Sequence, residues 1–267
     1  IDGVAPLPCL SLRGPQAGVQ TQAHAGTEAG LRSGRAAAAA NTHLLSLSFD
    51  YAGHPVAAHP PASRSIVDTA DGMAEITRDQ AAEAAAIMLL TQHGFVPAPG
   101  RSRQGPLRFI AGGDSLIESA SRWSRFLRET LPDLELAGWR IDTDDSFLLR
   151  FETGDCEASI EEETAEGNDW FGLRFDLEVA GRRIPLLPII APLLELGLNA
   201  VLPPIVSVPL PPGTAKDDDG AHRYIDLPSE RLRPVLETLR ELFADAPRGR
   251  DGTLRLSRFD ALALDDL

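Results

Sequence analysis

Alternation of apolar and polar residues predicts β-strands along much of the chain. In residues 43–51, Leu45, Leu47 and Phe49 alternate with serine and aspartate, which is the two-residue period of a half-buried strand. The same pattern predicts strands at residues 7–13, 63–69, 73–77, 107–111, 139–142, 147–152, 156–163, 170–180, 224–227 and 253–257. Short turns between consecutive strands indicate antiparallel pairing.

Three segments carry helical signals. Thr77 or Asp79 can cap a helix over about residues 79–93, Asp114 or Ser115 a second one reaching about residue 131, and Ser229 a third. The second helix is predicted to bury Leu116, Ala120, Trp123, Leu127 and Leu131, and to leave Arg122, Arg125 and Arg128 solvated. The sequence therefore predicts an α+β fold, in which antiparallel meander sheets pack with a few amphipathic helices.

A segment rich in proline and glycine at residues 97–106 predicts a domain boundary. Residues 1–100 are expected to form a β-rich subdomain that contains the first helix. Residues 14–41 consist largely of Gly, Ala and Gln, and we expect a mobile insert there. Residues 106–267 are expected to form an α+β accessory domain.

Composition excludes several classes of protein. The net charge of −14 repels nucleic acid over most of the surface. The longest apolar stretch, residues 184–202, is interrupted by prolines and Glu195, so no membrane span is expected. Cys9 and Cys156 are expected to be thiols in a reducing compartment. Because the chain starts at Ile1 without a signal-peptide pattern, we expect a fragment or processed product of a soluble, cytoplasmic protein.

Motifs for nucleotide and metal chemistry are incomplete. The single lysine lies in Gly213-Thr-Ala-Lys216-Asp-Asp, which lacks the spacing and the hydroxyl of a phosphate-binding loop. The acidic runs at residues 161–163, 217–219 and 265–266 lack the alternate spacing of a calcium loop. The six histidines do not take zinc-ligand spacing with the cysteines. We therefore assign no catalytic, cofactor-binding or metal-binding residue in the main interpretation.

An alternative comes from Gly113-Asp114-Ser115-Leu116, which follows the strand at 107–111 and resembles the nucleophile block of the GDSL (SGNH) esterases. In that family the serine attacks an ester, and a late Asp-x-x-His supplies an orienting acid and a base. The resemblance implies Ser115, Asp219 and His222 in these roles, with Asn168 as an oxyanion donor. The antiparallel strands depart from the family's pattern, and serine between a strand and a helix is also a common helix cap.

A second resemblance covers residues 44–267. It is carried by the following segments: Leu45-Ser-Leu-Ser-Phe-Asp-Tyr-Ala-Gly53, Phe126-Leu-Arg-Glu-Thr-Leu-Pro-Asp-Leu134, Ala137-Gly-Trp-Arg-Ile-Asp142, Asp169-Trp-Phe-Gly-Leu-Arg-Phe-Asp-Leu-Glu-Val-Ala-Gly181 and Ile225-Asp-Leu-Pro-Ser-Glu-Arg-Leu-Arg-Pro234. Together they resemble the region that precedes the ATPase motor in bacterial Swi/Snf-family helicase-like proteins. The resemblance implies a non-catalytic accessory module, with ATP and magnesium bound by the motor. Its implied partners are its own motor, and DNA or a protein–nucleic-acid complex through the parent protein.

Two surfaces are candidates for contacts with such partners. The apolar stretch at 184–202 and the Pro-rich segment 202–212 are predicted to dock on the motor or on another protein, unless they merely close the sheet. A further hypothesis is direct DNA contact through four C-terminal arginines, Arg248, Arg250, Arg255 and Arg258.

Overall fold

The protein forms two compact units in a computed structural model. The described residues are 1–14, 43–70, 72–99, 105–153, 155–161, 170–179, 182–185, 193, 202–210, 220–243 and 254–257. One unit comprises Ile1–Leu149 with Gly220–His222, and the other Arg150–Asp219 with Arg223–Leu267. The boundary predicted at 97–106 falls inside the first unit, because strands on both sides of it pair with each other. Apart from Gly14, the predicted mobile insert lies outside the described residues.

The first unit contains a mixed sheet. Its strands are β1 (Leu7–Arg13), β2 (Leu44–Tyr51), β3 (His54–Ala57), β4 (Arg64–Thr69), β5 (Gly72–Thr77), β6 (Phe95–Pro97), β7 (Leu107–Ala111) and β8 (Arg140–Thr143). Six of them form a sheet in the order β6-β7-β2-β1-β8, with β3 also paired to β2. The β1–β8 pair is parallel and the others are antiparallel. Strands β4 and β5 form a separate hairpin.

Two helical segments accompany this sheet. Helix α1 (Gln80–Gln92) begins after Asp79, whose carboxylate accepts the Ala82 N–H at 3.0 Å. Helix α2 (Leu116–Arg125) continues through a π-helical turn, Phe126–Thr130, into α3 (Leu131–Leu136). This continuous segment buries a periodic set of residues, Ile117, Ala120, Trp123, Phe126, Thr130 and Leu134.

The predicted buried face of the second helix was partly wrong. Leu116 is exposed, while its neighbour Ile117 is buried. Leu127 and Leu131 are only half-buried, because the residues facing the core are instead Phe126 and Thr130. Arg122 also differs from the prediction, because its Nη1 donates to the carbonyl oxygen of Gly94 at 2.9 Å instead of being only solvated.

Aromatic side chains form the core between α2 and the sheet. The ring of Phe95 lies 4.9 Å from that of Trp123 and 4.8 Å from that of Phe126, both in edge-to-face geometry. Phe147 contacts Trp123 from the segment after β8, at 5.3 Å between ring centroids. Such pairs add about 0.5–1.5 kcal/mol each to the free energy gained by burial. These contacts therefore pack β6 and the 147–149 segment against α2.

The second unit is built on antiparallel strands. From residue 149 onward the elements are β9 (Leu149–Thr153), β10 (Asp155–Glu161), β11 (Trp170–Val179), β12 (Arg182–Pro185), β13 (Ile205–Pro209), β14 (His222–Pro228), α4 (Ser229–Phe243) and β15 (Leu254–Ser257). The first residues of β9 and β14, Leu149 and His222, belong to the first unit. One sheet has the order β10-β11-β12 with β15 beside β11, and another the order β13-β14-β9. The predicted α+β class with antiparallel sheets is confirmed.

The Pro-rich segment 202–212 is not an open docking strand over its described part. Val206 and Val208 of β13 are fully buried, and β13 pairs antiparallel with β14. These valines therefore stabilise the core and are not accessible to a partner. In the apolar stretch, Ile184 and Leu193 are also buried, and Leu202 is half-buried. Among the described residues, no helix combines the length and the hydropathy needed to cross a bilayer.

Candidate functional site

Ser115 begins α2 and caps it. Its Oγ accepts the Glu118 N–H at 3.2 Å, and Glu118 Oε2 in turn accepts the Asp114 N–H at 3.0 Å. This is a variant of the reciprocal capping box, in which a serine and a glutamate three residues later satisfy free N–H groups at a helix start. The predicted cap is therefore Ser115 and not Asp114. Its hydroxyl oxygen already has a structural role.

His222 lies in the same unit as Ser115, at the start of β14. Its backbone N–H donates to Leu148 O at 2.8 Å, and its ring packs edge-to-face on His43 at 6.0 Å. Burial lowers the pKa of His222. Within the described part of the chain, no hydrogen bond joins Ser115 to His222. Asp219 and Asn168 lie outside that part, so the esterase triad stays a prediction.

A buried polar cluster in the first unit was not singled out by the sequence. It consists of Tyr51 on β2, Arg78 between β5 and α1, and Glu83 on α1. We call it the base cluster because it lies at the base of the β4–β5 hairpin. Arg78 donates from Nε to Glu83 Oε1 at 2.8 Å and from Nη2 to Glu83 Oε2 at 2.6 Å. The Tyr51 hydroxyl donates to Glu83 Oε1 at 2.7 Å. All three side chains are buried.

Further bonds fix the base cluster to the backbone. The Asp79 N–H donates to the Tyr51 hydroxyl at 3.0 Å, and Arg78 Nη1 donates to Pro60 O at 3.3 Å. A bidentate arginine–carboxylate pair with additional donors satisfies buried charge well, whereas loss of one partner leaves the other charge uncompensated. The cluster therefore fixes the junction of β5 and α1 against β2.

The protonation state of Tyr51 supports a structural role. Burial, together with the hydrogen bond to the Glu83 carboxylate, raises the pKa of Tyr51 to about 12. The same carboxylate raises the pKa of Arg78. At neutral pH the phenol keeps its proton and the guanidinium its charge. Neither Tyr51 nor Arg78 therefore acts as a base for proton transfer at neutral pH.

A second group of polar side chains lies beside Cys9 on β1. Arg140 Nη1 donates to Asp50 Oδ2 at 2.9 Å and approaches Cys9 Sγ at 3.9 Å. Burial nevertheless raises the pKa of the Cys9 thiol, and the nearby guanidinium only partly offsets this effect. A protonated thiol is a weak nucleophile. Across the described ranges, no three His, Cys, Asp or Glu side chains are grouped to hold a metal ion.

Exposed apolar side chains flank the base cluster along the chain. Both methionines are exposed: Met73 on β5 by 79% and Met88 on α1 by 57%. Helix α1 carries Glu83 as its one charged residue, and that side chain is buried. Its exposed positions therefore carry no charge, and they include Ala81, Ala84, Ala85 and Met88. Proteins normally cover solvent-facing helix positions with charged side chains.

No family model, curated protein or solved structure matches this chain. Of the esterase residues predicted from the sequence, Ser115 and His222 are described but share no hydrogen bond. The others, Asp219 and Asn168, lie outside the described residues. The base cluster was missed because its members are spread over residues 51–83. A detectable signal existed, since a lone acid in an uncharged helix indicates a buried, paired charge.

Proposed function

We propose that this chain is a non-catalytic docking module of a bacterial Swi/Snf-type DNA-dependent ATPase. The exposure of both methionines, on the two elements that the base cluster joins, carries the docking part of the proposal. Methionine is a flexible, polarisable side chain that is used at adaptable protein-binding surfaces. The parentage rests on the resemblance of residues 44–267 to the region that precedes the motor.

Electrostatics favour a protein partner over direct DNA binding. The chain has a net charge of −14, and binding to phosphates would need a local basic surface. The docking elements supply none, because α1 has no exposed charge and β5 carries Glu75 as its one ionisable residue. In the proposal, DNA, ATP and magnesium are bound by the ATPase motor, and this module contacts the motor.

The rigidity of the base cluster lowers the entropy cost of binding at the docking surface. Binding energy is lost when flexible side chains or loops must become ordered on association. Here the junction between β5 and α1 is held by the five hydrogen bonds described for Arg78, Glu83 and Tyr51. A partner can therefore bind a surface whose backbone is already in place.

The coding sequence downstream of residue 267 tests whether this chain is part of a Swi/Snf-type ATPase. The proposal requires an open reading frame that encodes a Gly-rich loop ending in Lys-Ser or Lys-Thr. A coding sequence with no such loop on either side of these residues would remove the ATPase part of the proposal.

The docking surface is tested by adding residues 1–267 to the isolated motor in trans. Burial of a methionine contributes about 1.5–3 kcal/mol. The double variant Met73→Glu, Met88→Glu should therefore bind the motor at least about tenfold more weakly. The matched control, Met73→Leu with Met88→Leu, keeps an apolar surface and should bind like the wild type. Equal affinity of the glutamate variant and the wild type would exclude these residues from the interface.

A further inference from the structure

Strand β4 has an outer edge whose backbone groups have no partner among the described residues. The hairpin pairs Arg64 with Thr77 and Ile66 with Glu75, and the Arg78 N–H donates to Ser63 O at 2.9 Å in the same register. In an antiparallel ladder, hydrogen-bonded pairs alternate with non-bonded pairs. Since the pair of residues 63 and 78 is bonded, residues 64, 66 and 68 direct their N–H and C=O groups away from β5.

The other edge of the hairpin confirms this alternation. Glu75 and Thr77 are the corresponding outward residues of β5, and both bond to Ile1. The Ile1 amine donates to Glu75 O at 2.6 Å, and the Thr77 N–H donates to Ile1 O at 3.1 Å. The β5 edge is thus partly covered, whereas the described chain leaves the β4 edge open to solvent. Open strand edges are templates for pairing with another chain.

We propose that β4 pairs with β4 of a second copy of this chain, antiparallel about a twofold axis at Ile66. In this register Ile66 faces its own equivalent, and Arg64 of each copy faces Asp68 of the other. All three pairs use the outward backbone groups, which gives about six intermolecular hydrogen bonds. Opposite charges directly across an antiparallel pair are stabilising, and so is an apolar pair between them.

Charge complementarity selects this register. Along the outer edge the order is basic, apolar and acidic: Arg64, Ile66 and Asp68, all exposed, with Ile66 exposed by 73%. A shift by two residues places a charge opposite Ile66. A shift by one residue places outward backbone groups against inward ones and leaves them unpaired. The existing ion pair of Arg64 with Glu75 is long, at 3.4 Å, and exposed, so it does not prevent Arg64 from pairing with Asp68 of the second copy.

The size of the edge sets the strength of the dimer. Stable protein complexes bury about 1,200–2,000 Å². A pair of six-residue strands buries less, so the dimer is weak and depends on concentration. The repulsion between two acidic copies is screened at physiological salt, where the Debye length is about 8 Å. This inference is independent of the proposed function, because it uses the backbone of β4 and neither methionine.

Sedimentation velocity of the full chain over a hundredfold range of concentration tests the pairing. The wild type should change from monomer to dimer as concentration rises. Arg64→Asp or Asp68→Arg alone places like charges opposite each other at both ends of the pair, and should weaken association at least about fivefold. The combined swap, Arg64→Asp with Asp68→Arg, restores opposite charges and should restore association.

Two further variants separate edge pairing from packing of the hairpin's face. Ile66→Pro removes an outward N–H that the hairpin does not use, and should abolish the dimer while circular dichroism stays unchanged. Met73→Lys alters the same face from β5 and should leave association intact. The proposal is overturned if the wild type stays monomeric, if the folded charge swap fails to restore association, or if Met73→Lys abolishes it.

Discussion

Two arginine–glutamate pairs lie on the same stretch of chain and differ in almost every physical respect. At the base of the β4–β5 hairpin, Arg78 and Glu83 are 2.6 Å apart, with side chains exposed by 2% and 7%. On the hairpin itself, Arg64 and Glu75 are 3.4 Å apart, with side chains exposed by 67% and 56%. The same two residue types therefore fix the structure in one place and remain accessible to solvent and partners in the other.

Burial explains the difference. A buried charge that loses its partner costs several kcal/mol, whereas an exposed pair contributes about 0–1 kcal/mol. The base cluster therefore stabilises the fold, whereas the exposed charges of the hairpin can form contacts with a partner. Substitutions in the base cluster should therefore destabilise the fold far more than substitutions of the hairpin charges.

Removing the charge of Arg78 should have the largest effect on stability. Arg78→Met leaves the Glu83 carboxylate buried without its bidentate partner, and should lower the free energy of unfolding by about 3–5 kcal/mol. Urea denaturation followed by circular dichroism measures this as a lower midpoint. Arg78→Met combined with Glu83→Gln removes both charges and should lose less than the single variant. A loss below about 1 kcal/mol for the single variant would contradict a structural role for the cluster.

Tyr51→Phe should have an intermediate effect. The substitution removes a donor to Glu83 Oε1 and an acceptor for the Asp79 N–H, so buried polar groups lose a partner at a cost of about 1–3 kcal/mol. Thermal and urea unfolding measure the change. A variant as stable as the wild type would mean that water or another side chain replaces the hydroxyl.

The same tyrosine predicts how stability changes at alkaline pH. The folded-state pKa of about 12 lies above the ordinary value of 10.0, so the folded state holds this proton more tightly than the unfolded state. The resulting stabilisation is complete below pH 10 and is lost as the pH rises to 12. Between these values, the unfolding midpoint of the wild type should fall more steeply than that of Tyr51→Phe. Parallel curves would argue against the raised pKa.

Ser115→Ala provides a reference outside both ion pairs. Loss of the helix cap should cost about 1 kcal/mol in urea unfolding. The same variant decides the esterase alternative, because hydrolysis of a short-chain nitrophenyl ester by the wild type and not by the variant would establish Ser115 as a nucleophile. Equal rates for both proteins would leave Ser115 with its capping role.

Arg64→Ala should have the smallest effect on folding, within about 0.5 kcal/mol, because its ion pair is exposed and long. Urea unfolding at low and physiological salt measures it. A loss comparable to that of Arg78→Met would remove the contrast between the two pairs.

The sequence predicted local structure well where a single element carries its own signal. The bounds of β1 match the prediction, β2 differs by one residue, and Asp79 and Ser115 cap their helices as expected. Strands β3, β6, β12 and β13 were missed. They are short, and prolines within them weaken the strand pattern.

The candidate surfaces were harder to predict. The Pro-rich segment 202–212 was predicted to dock on a partner, but its valines are buried in β13, which pairs with β14. The base cluster joins residues from β2, the segment between β5 and α1, and α1 itself, so no spacing within one element indicates it. The open edge of β4 depends on which strand is adjacent to it, which a hydrophobic pattern does not specify.

The amino-acid sequence by itself determined the α+β class, most strands, the helix caps and the acidic character of the chain, because each follows from local propensity, periodicity or composition. Tertiary structure alone decided that β1 pairs in parallel with β8, that Arg78 and Glu83 are buried together, and that the described residues leave the outer edge of β4 unpaired. The physical reason is that burial and strand pairing depend on contacts between residues distant in sequence, and the same side chain has a different energy in water and in the core.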